Sequence, residues 1–280
     1  ISLDATSATT QANSRPYIRF DAKVDWHERH KFLKFEIPLD IHSDVAYYEC
    51  AFGWVSRPTH RNTTQEAAKF EVCGHRYADL SEYGYGVALL TESKYGYATT
   101  GNVMRISLLR GPTYPDSEQD QGEHQFSWAV LPHKGHFFES DVVKAAYAFN
   151  SPLPIRHTSS NNPDSLLHTP PFIVEGAPSV ILDTVKRGDD DDFSSSSADK
   201  TVVLRLYEAY GGHSRPKIRI ANYLKVSKAL ITNLLEEEIE EVKLIGSESA
   251  DGGCSIALCL RGFQVVTVKL FLENTADGAP

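Results

Sequence analysis

Apolar and polar residues alternate in short runs along most of the chain. In residues 32–37 (FLKFEI), Leu33, Phe35 and Ile37 fall on one side of an extended backbone while Lys34 and Glu36 take the other, the period-two pattern of a half-buried strand. Similar runs, rich in β-branched and aromatic residues and set off by Gly, Pro and Asp clusters, occupy residues 46–54, 68–73, 86–90, 103–109 and 125–131. A second set spans residues 179–185, 201–208, 217–220, 254–260 and 264–272. Strands dominate both halves, so the expected fold is mostly β: an antiparallel β-sandwich of supersandwich-like build with one short connecting helix and a second, smaller β-sandwich.

The helix is expected at residues 140–149 (SDVVKAAYAF), where Ser140 is placed to cap the free amides and Val142, Ala145, Ala146 and Phe149 share a face. Residues 229–244 (ALITNLLEEEIEEVKL) read two ways, because the glutamates favour helix while the apolar spacing fits two strands around an acidic turn. Strands on both sides favour the second reading. Pro152, Pro154, Pro163, Pro170 and Pro171 break any regular pattern between the halves, and residues 188–197, four aspartates and four serines around one Phe, are expected to be disordered. The expected organisation is a lead-in at 1–30, a large sandwich at 31–155, a linker with loops at 156–200 and a C-terminal sandwich portion at 201–280.

With 280 residues, 41% hydrophobic and 23% charged, the chain has room for one large core or two small ones. No run approaches the roughly 18 apolar residues of a membrane-spanning helix. The opening Ile1-Ser-Leu-Asp has neither an initiator Met nor the order of a signal peptide, so the numbering is expected to start inside a longer protein. Net charge is −9, with acid concentrated at 189–192 and 236–241 and no basic stripe, which argues against nucleic acid as a partner. Cys50, Cys73, Cys254 and Cys259 lack paired CxxC spacing, so reduced cytosolic thiols are expected. Asn62-Thr63-Thr64 satisfies the N-glycosylation pattern, which matters only in a secreted protein.

The densest polar chemistry lies in residues 57–90, with His60, Arg61, Cys73, His75, Arg76, Asp79 and Glu82 in one short stretch. Zinc needs about three or four converging ligands, and Cys73-Gly-His75 is the nearest approach to such a set. On a strand these two would share a face, where a free Cys is expected in the core with the His as its satisfied neighbour. There is no GxSxG elbow and no Walker or dinucleotide loop, and Gly84-Tyr-Gly86 is too short to count. A glycosidase carboxylate pair is invisible to spacing, because the partners come from separate strands. Tyr83, Tyr85, Tyr95 and Tyr97 among polar residues suit sugar binding and equally suit a sandwich surface.

Residues 57–90, their continuation LLTESKYGYATTGNVMRISLLRGPTYPD, then DQGEHQFSWAVLPHKG and VVKAAYAFNSPL, form an ordered series of motifs. The series resembles the region after the catalytic domain in class II α-mannosidases of glycoside hydrolase family 38, with most likeness to the cytosolic or vacuolar branch. The resemblance covers residues 32–154, and VVLRLYEAYGG and GFQVVTVKLFL resemble the terminal sandwich of the same proteins.

Such proteins are retaining exo-α-mannosidases in which a divalent metal, zinc or in some members cobalt, holds the terminal mannose, an Asp attacks the anomeric carbon and a second carboxylic acid protonates the leaving oxygen. The resemblance therefore implies a parent enzyme acting on free or vacuolar mannose oligosaccharides, in the cytoplasm or after delivery to the vacuole. Its catalytic and metal-binding positions lie in an N-terminal α/β barrel and the helical region after it, which no segment here resembles. This chain is thus expected to hold no catalytic residue and no cofactor, and to partner its own catalytic domain. On the family pattern Arg110 comes near the active-site cleft, with Asp116, Asp120 and His124 in the loop that follows; a strand-end pair of Arg110 with Asp116 is the structural alternative. His60, His75, Arg76 and Asp79 are expected to form a buried polar network fixing the sandwich against the barrel. Two other roles fit the same sequence: a stand-alone carbohydrate-binding module, and an oligomerisation or receptor-docking module, with a homo-oligomer among its partners.

Overall fold

All strand pairs among the described residues run antiparallel. A computed structural model describes residues 2–3, 17–152, 170–191, 200–246 and 253–273, and the chain divides into two units, Ile1–Pro154 and Ile155–Pro280.

In the first unit the strands are β1 (Ser2–Leu3), β2 (Ile18–Trp26), β3 (Leu33–Pro38), β4 (Val45–Cys50), β5 (Gly53–Pro58), β6 (Val72–Cys73), β7 (Tyr77–Glu82), β8 (Tyr85–Thr91), β9 (Gly96–Thr100), β10 (Val103–Leu109) and β11 (Gly122–Lys134). Helix α1 (Thr64–Ala68) lies between β5 and β6, and α2 (Val142–Asn150) follows β11. Seven strands form one sheet in the order β1-β2-β11-β8-β7-β4-β5, and four form another in the order β3-β10-β9-β6. Alternate residues of the two sheets meet in one core: Leu80, Leu89, Phe126 and Trp128 from the larger, Tyr97, Met104 and Ile106 from the smaller. Phe20 stacks on Trp128 with ring centroids 5.2 Å apart. The other face of the larger sheet is also covered, since Tyr47 and Tyr77 pack on Phe137 and the buried side of α2 carries Val142, Val143, Ala146 and Phe149. This double cover explains why β8 reads as an apolar run rather than as an alternation.

The second unit contains β12 (Phe172–Glu175), β13 (Val180–Arg187), β14 (Lys200–Glu208), β15 (Lys217–Ile220), β16 (Val226–Thr232), β17 (Glu238–Val242), β18 (Ile245–Gly246), β19 (Cys254–Ala257) and β20 (Val265–Leu272). They form sheets of order β12-β15-β19-β18 and β13-β14-β20-β16-β17, which share a core around Leu204, Leu206, Ile218, Ile256 and Val268. The mostly-β reading therefore holds in both units. Residues 229–244 are the expected pair of strands, β16 and β17, around the acidic turn.

Several local expectations are corrected. Residues 46–54 are not one strand but a hairpin, turning at Phe52 with φ 60°, where a run apolar except for Glu49 conceals the turn. Of residues 68–73, only Val72 and Cys73 pair, Ala68 ends α1 and 69–71 are irregular: the Thr63 side chain accepts from Glu66 N while Glu66 accepts from Thr63 N, a capping box that starts a helix just ahead of the strand-like run. Cys73, expected in the core, is exposed. Helix α2 starts at Val142 with Asp141 at its N-cap, although Ser140 Oγ does accept from Val142 N at 3.3 Å. Within 1–30, residues 18–26 are β2, and within 156–200 lie β12 and β13. Of the acidic stretch, 188–191 is an ordered turn in which buried Asp191 accepts from Thr201 N at 3.0 Å and Oγ1 at 2.7 Å; residues 192–197 lie outside the described residues.

The turn between β16 and β17 holds another buried carboxylate. Glu236 sits at φ 67° with its side chain buried, and it accepts from Lys186 Nζ at 2.5 Å, Asp189 N at 3.1 Å and Lys269 Nζ at 3.2 Å. Burial pushes its carboxyl upward, but the two ammonium groups and the amide outweigh burial and hold it below the ordinary 4.5. A depressed folded-state value gives stability that is present above 4.5 and lost as pH falls through the folded value. Glu236→Gln should therefore cost about 1–3 kcal/mol at neutral pH, with the gap to wild type narrowing under acid. Denaturant titrations across pH 3 to 7 check this, and a gap that stays constant with pH would contradict it.

Candidate functional site

The loop from Arg110 to Gln121, between β10 and β11, is fixed by one carboxylate. Asp120 stands at φ 63°, and its Oδ2 accepts from Arg110 N at 2.9 Å and Gly111 N at 3.2 Å, closing the loop at its base. Its carbonyl accepts from His124 Nε2 at 2.9 Å, which fixes the protonated nitrogen of that imidazole. Burial acts to raise the Asp120 carboxyl, but the two amides and the positive fields of His124 and Lys94 bring it below the ordinary carboxylate value.

The same loop is stitched to the segment after β2. Gly111 O accepts from His30 N at 2.8 Å, Gln121 Nε2 donates to Glu28 O at 2.9 Å, and Arg29 pairs with Glu118 at 2.7 Å. Gly111 is at φ 63°, and a Cβ there would lie 2.3 Å from Glu28 O, so only glycine allows this approach. On this base Arg110 is exposed and Tyr114 is 87% exposed.

Of the four residues expected in this loop, Asp120 and His124 are bonded to each other and form the base. Asp116 Oδ1 accepts from Glu118 N at 2.9 Å, a local turn. The guanidinium of Arg110 has no hydrogen bond or ion pair among the described residues, so the Arg110–Asp116 pair does not form.

His60, His75, Arg76 and Asp79 are not joined in a single network. Arg76 binds Glu49 through both Nε and Nη2 while its backbone N–H donates to the same carboxylate at 2.6 Å, and its guanidinium lies over Tyr147. Asp79, fully buried, bonds His133 Nε2 at 2.7 Å. That imidazole crosses β8 at Gly86, where a Cβ would come within 2.3 Å of His133 Cε1. His75 packs edge-on against Tyr95, and His60 lies on the surface 3.7 Å from Glu66. Neither Glu49 nor His133 stood out in the sequence; the glycine opposite His133 was the one available signal.

As for metal chemistry, no three His, Cys, Asp or Glu side chains among the described residues are grouped to hold an ion. Cys73 is exposed and His75 is engaged with Tyr95, so this pair does not fit zinc.

Two family models match the chain: the glycosyl hydrolases family 38 C-terminal domain over residues 6–118 and the family 38 C-terminal beta sandwich domain over residues 179–268. The chain belongs to glycoside hydrolase family 38. Alpha-mannosidase 2C1 of Homo sapiens is 44% identical over 258 residues, covering 92% of this chain and 23% of the human protein. Alpha-mannosidase of Saccharomyces cerevisiae is 37% identical over 280 residues, 97% of this chain and 25% of the yeast protein. The chain thus spans about a quarter of the family 38 relatives it matches. Among solved structures, the crystal structure of an alpha-mannosidase from Enterococcus faecalis V583 shares the fold, with a TM-score of 0.65 at 16% identity over 92% of this chain and 29% of that one.

Within this family 38 region the loop base makes a separable claim. Asp120→Asn should lower stability by about 1.5–3 kcal/mol, the range for hydrogen bonds to a charged acceptor, and should speed amide exchange at Arg110 and Gly111. Asp116→Ala, which removes one exposed turn bond, should stay within about 0.5 kcal/mol of wild type. Denaturant melts and hydrogen exchange on both variants measure this; equal losses would refute the assignment of Asp120 as the base.

Proposed function

We propose that this chain is the non-catalytic C-terminal portion of a retaining exo-α-mannosidase that removes terminal α-mannose from free or vacuolar oligosaccharides. Nucleophile, acid and metal, zinc or cobalt, belong in this reading to the parent's N-terminal catalytic domain, the chain's principal partner. The place of action we assign is the cytoplasm, with the vacuole as the alternative. Among the described residues no helix is long and apolar enough to cross a membrane.

The observation that carries a substrate role is Arg110. A guanidinium with no ion pair among the described residues, on a loop closed by Asp120, keeps its forked donors for an outside group. In the parent enzyme it would hold two hydroxyls of the sugar, or a carboxylate that does so. Asp120 and His124 act through the loop base as positioning residues, and Asp116 shapes the turn beyond it. Arg76 with Glu49, and Asp79 with His133, serve as scaffold, while His60 is exposed and His75 is half-buried against Tyr95 in the same unit.

Two outcomes follow. The 280-residue chain alone, supplied with zinc or cobalt, should not hydrolyse an aryl α-mannoside above background, and turnover would defeat the reading. In the full-length enzyme, Arg110→Ala should lower kcat/KM roughly ten- to hundredfold, the equivalent of about 1.5–3 kcal/mol of charge-assisted bonding. Its melting temperature should stay near wild type. Unchanged kcat/KM would remove Arg110 from the cleft.

A further inference from the structure

The dense polar run that opens at Arg57 builds something other than a metal centre. A cavity of about 580 Å³ opens in the first unit between β5, α1 and β9, within the range of small-molecule sites. Its floor is closed by Tyr48, 2% exposed, and Ala98, with the Tyr48 hydroxyl donating to Thr99 Oγ1 at 2.8 Å.

The lining carries three cations, Arg57, Arg61 and Lys69, against one carboxylate, Glu66. Glu66 is already committed, since it accepts from Asn62 N at 2.8 Å and Thr63 N at 3.0 Å to start α1. Arg57 is held by Cys73 O at 3.0 Å and by the Tyr48 ring, 5.1 Å from its guanidinium carbon. Arg61 is held by Thr100 Oγ1 at 3.3 Å. Each arginine has spent one of its five donors on these bonds, so both are oriented with donors in reserve. Two positive charges in excess gather here in a chain whose net charge is −9, a local field opposed to the global one.

That excess matches a dianion. A phosphate monoester carries about −1.5 to −2 at neutral pH and offers three acceptor oxygens, which the arginine fork binds in pairs. The cavity is larger than a phosphate requires, and the rest of its lining combines hydroxyl and amide groups, Thr99, Thr100 and Gln65 among them, with apolar side chains such as Val55, Val72 and Phe70, the last 62% exposed. Hydroxyls beside an exposed ring are the surroundings of a polyhydroxylated ring with one apolar face. We propose that this pocket binds a phosphorylated monosaccharide, its phosphate among Arg57, Arg61 and Lys69 and its ring against Phe70 and the two threonines. The pocket and its charge stand apart from the glycosidase reading and from the Arg110 loop, while the choice of mannose as the sugar rests on that reading.

The test is calorimetric titration of the 280-residue chain with mannose 6-phosphate, mannose and inorganic phosphate in turn, at low ionic strength. Mannose 6-phosphate should bind at least about tenfold more tightly than either of the others, because only it engages both halves of the pocket. Arg61→Ala and Lys69→Ala, both at exposed positions where folding is little affected, should each weaken it about five- to tenfold, with Arg61→Lys recovering part of the loss. Binding should weaken further as salt is added. No detectable binding of mannose 6-phosphate overturns the proposal. Inorganic phosphate binding as tightly as the sugar phosphate overturns it as well, since the cavity would then read only an ion. Wild-type affinity in both alanine variants would place the ligand elsewhere and equally end it.

Discussion

A loop that leaves a β-sheet carries backbone N–H groups that no ladder accepts, and in this chain carboxylates accept them. Glu208, fully buried at the end of β14, takes the amides of Tyr210 at 3.1 Å, Gly211 at 2.7 Å, Gly212 at 3.1 Å and Phe263 at 3.2 Å. Glu49 does the same for Arg76, Asp120 for Arg110 and Gly111, Asp191 for Thr201 and Glu236 for Asp189. A buried carboxylate without partners is costly, and a buried amide without an acceptor is too; together they cancel most of both penalties. The sheets supply the core, but these five acids decide where the chain goes on leaving it.

This changes what the acidity of the chain means. A net charge of −9 ordinarily describes a surface field. Here Glu49, Asp79, Asp191, Glu208 and Glu236 are buried, so part of the excess is internal and answered by amides, Arg76, His133, Lys186 and Lys269. The surface is correspondingly less acidic than the composition implies. A cluster of cations such as Arg57, Arg61 and Lys69 is then less outweighed by its own chain.

How much of this was legible depended on range. Period-two runs found most strands, because each needs only its own residues and a half-buried sheet. Residues 18–26 carry a complete alternation as well, Ile18, Phe20, Ala22, Val24 and Trp26 against Arg19, Asp21, Lys23 and Asp25, so β2 was visible where a lead-in was expected. The Thr63-x-x-Glu66 box likewise announces α1 ahead of the strand-like residues that follow. The loop base was not legible, because Asp120 serves main-chain amides that have no sequence identity, and the nearer acid, Asp116, turns back on Glu118 instead. Proximity along the chain favoured Asp116; the left-handed backbone at Asp120 turned the other acid inward.

The pair of Asp79 and His133 shows the same limit and what lies beyond it. The two are 54 residues apart, on strands that flank β8, and they meet only because the residue between them is Gly86. As a fragment of a glycine-rich motif Gly84-Tyr-Gly86 meant nothing. As steric space it is required, because any side chain at Gly86 would occupy the path of the imidazole. With that path open, a buried acid reaches a buried base across three strands. Ser81, on the same face as Asp79, accepts from Phe137 N at 3.1 Å and so anchors the turn whose aromatic ring covers Tyr47 and Tyr77. A missing side chain, a buried ion-pair geometry and an aromatic lid are thus one arrangement on the outer face of the seven-stranded sheet. The first of them is the only part that a single residue in the sequence could have disclosed.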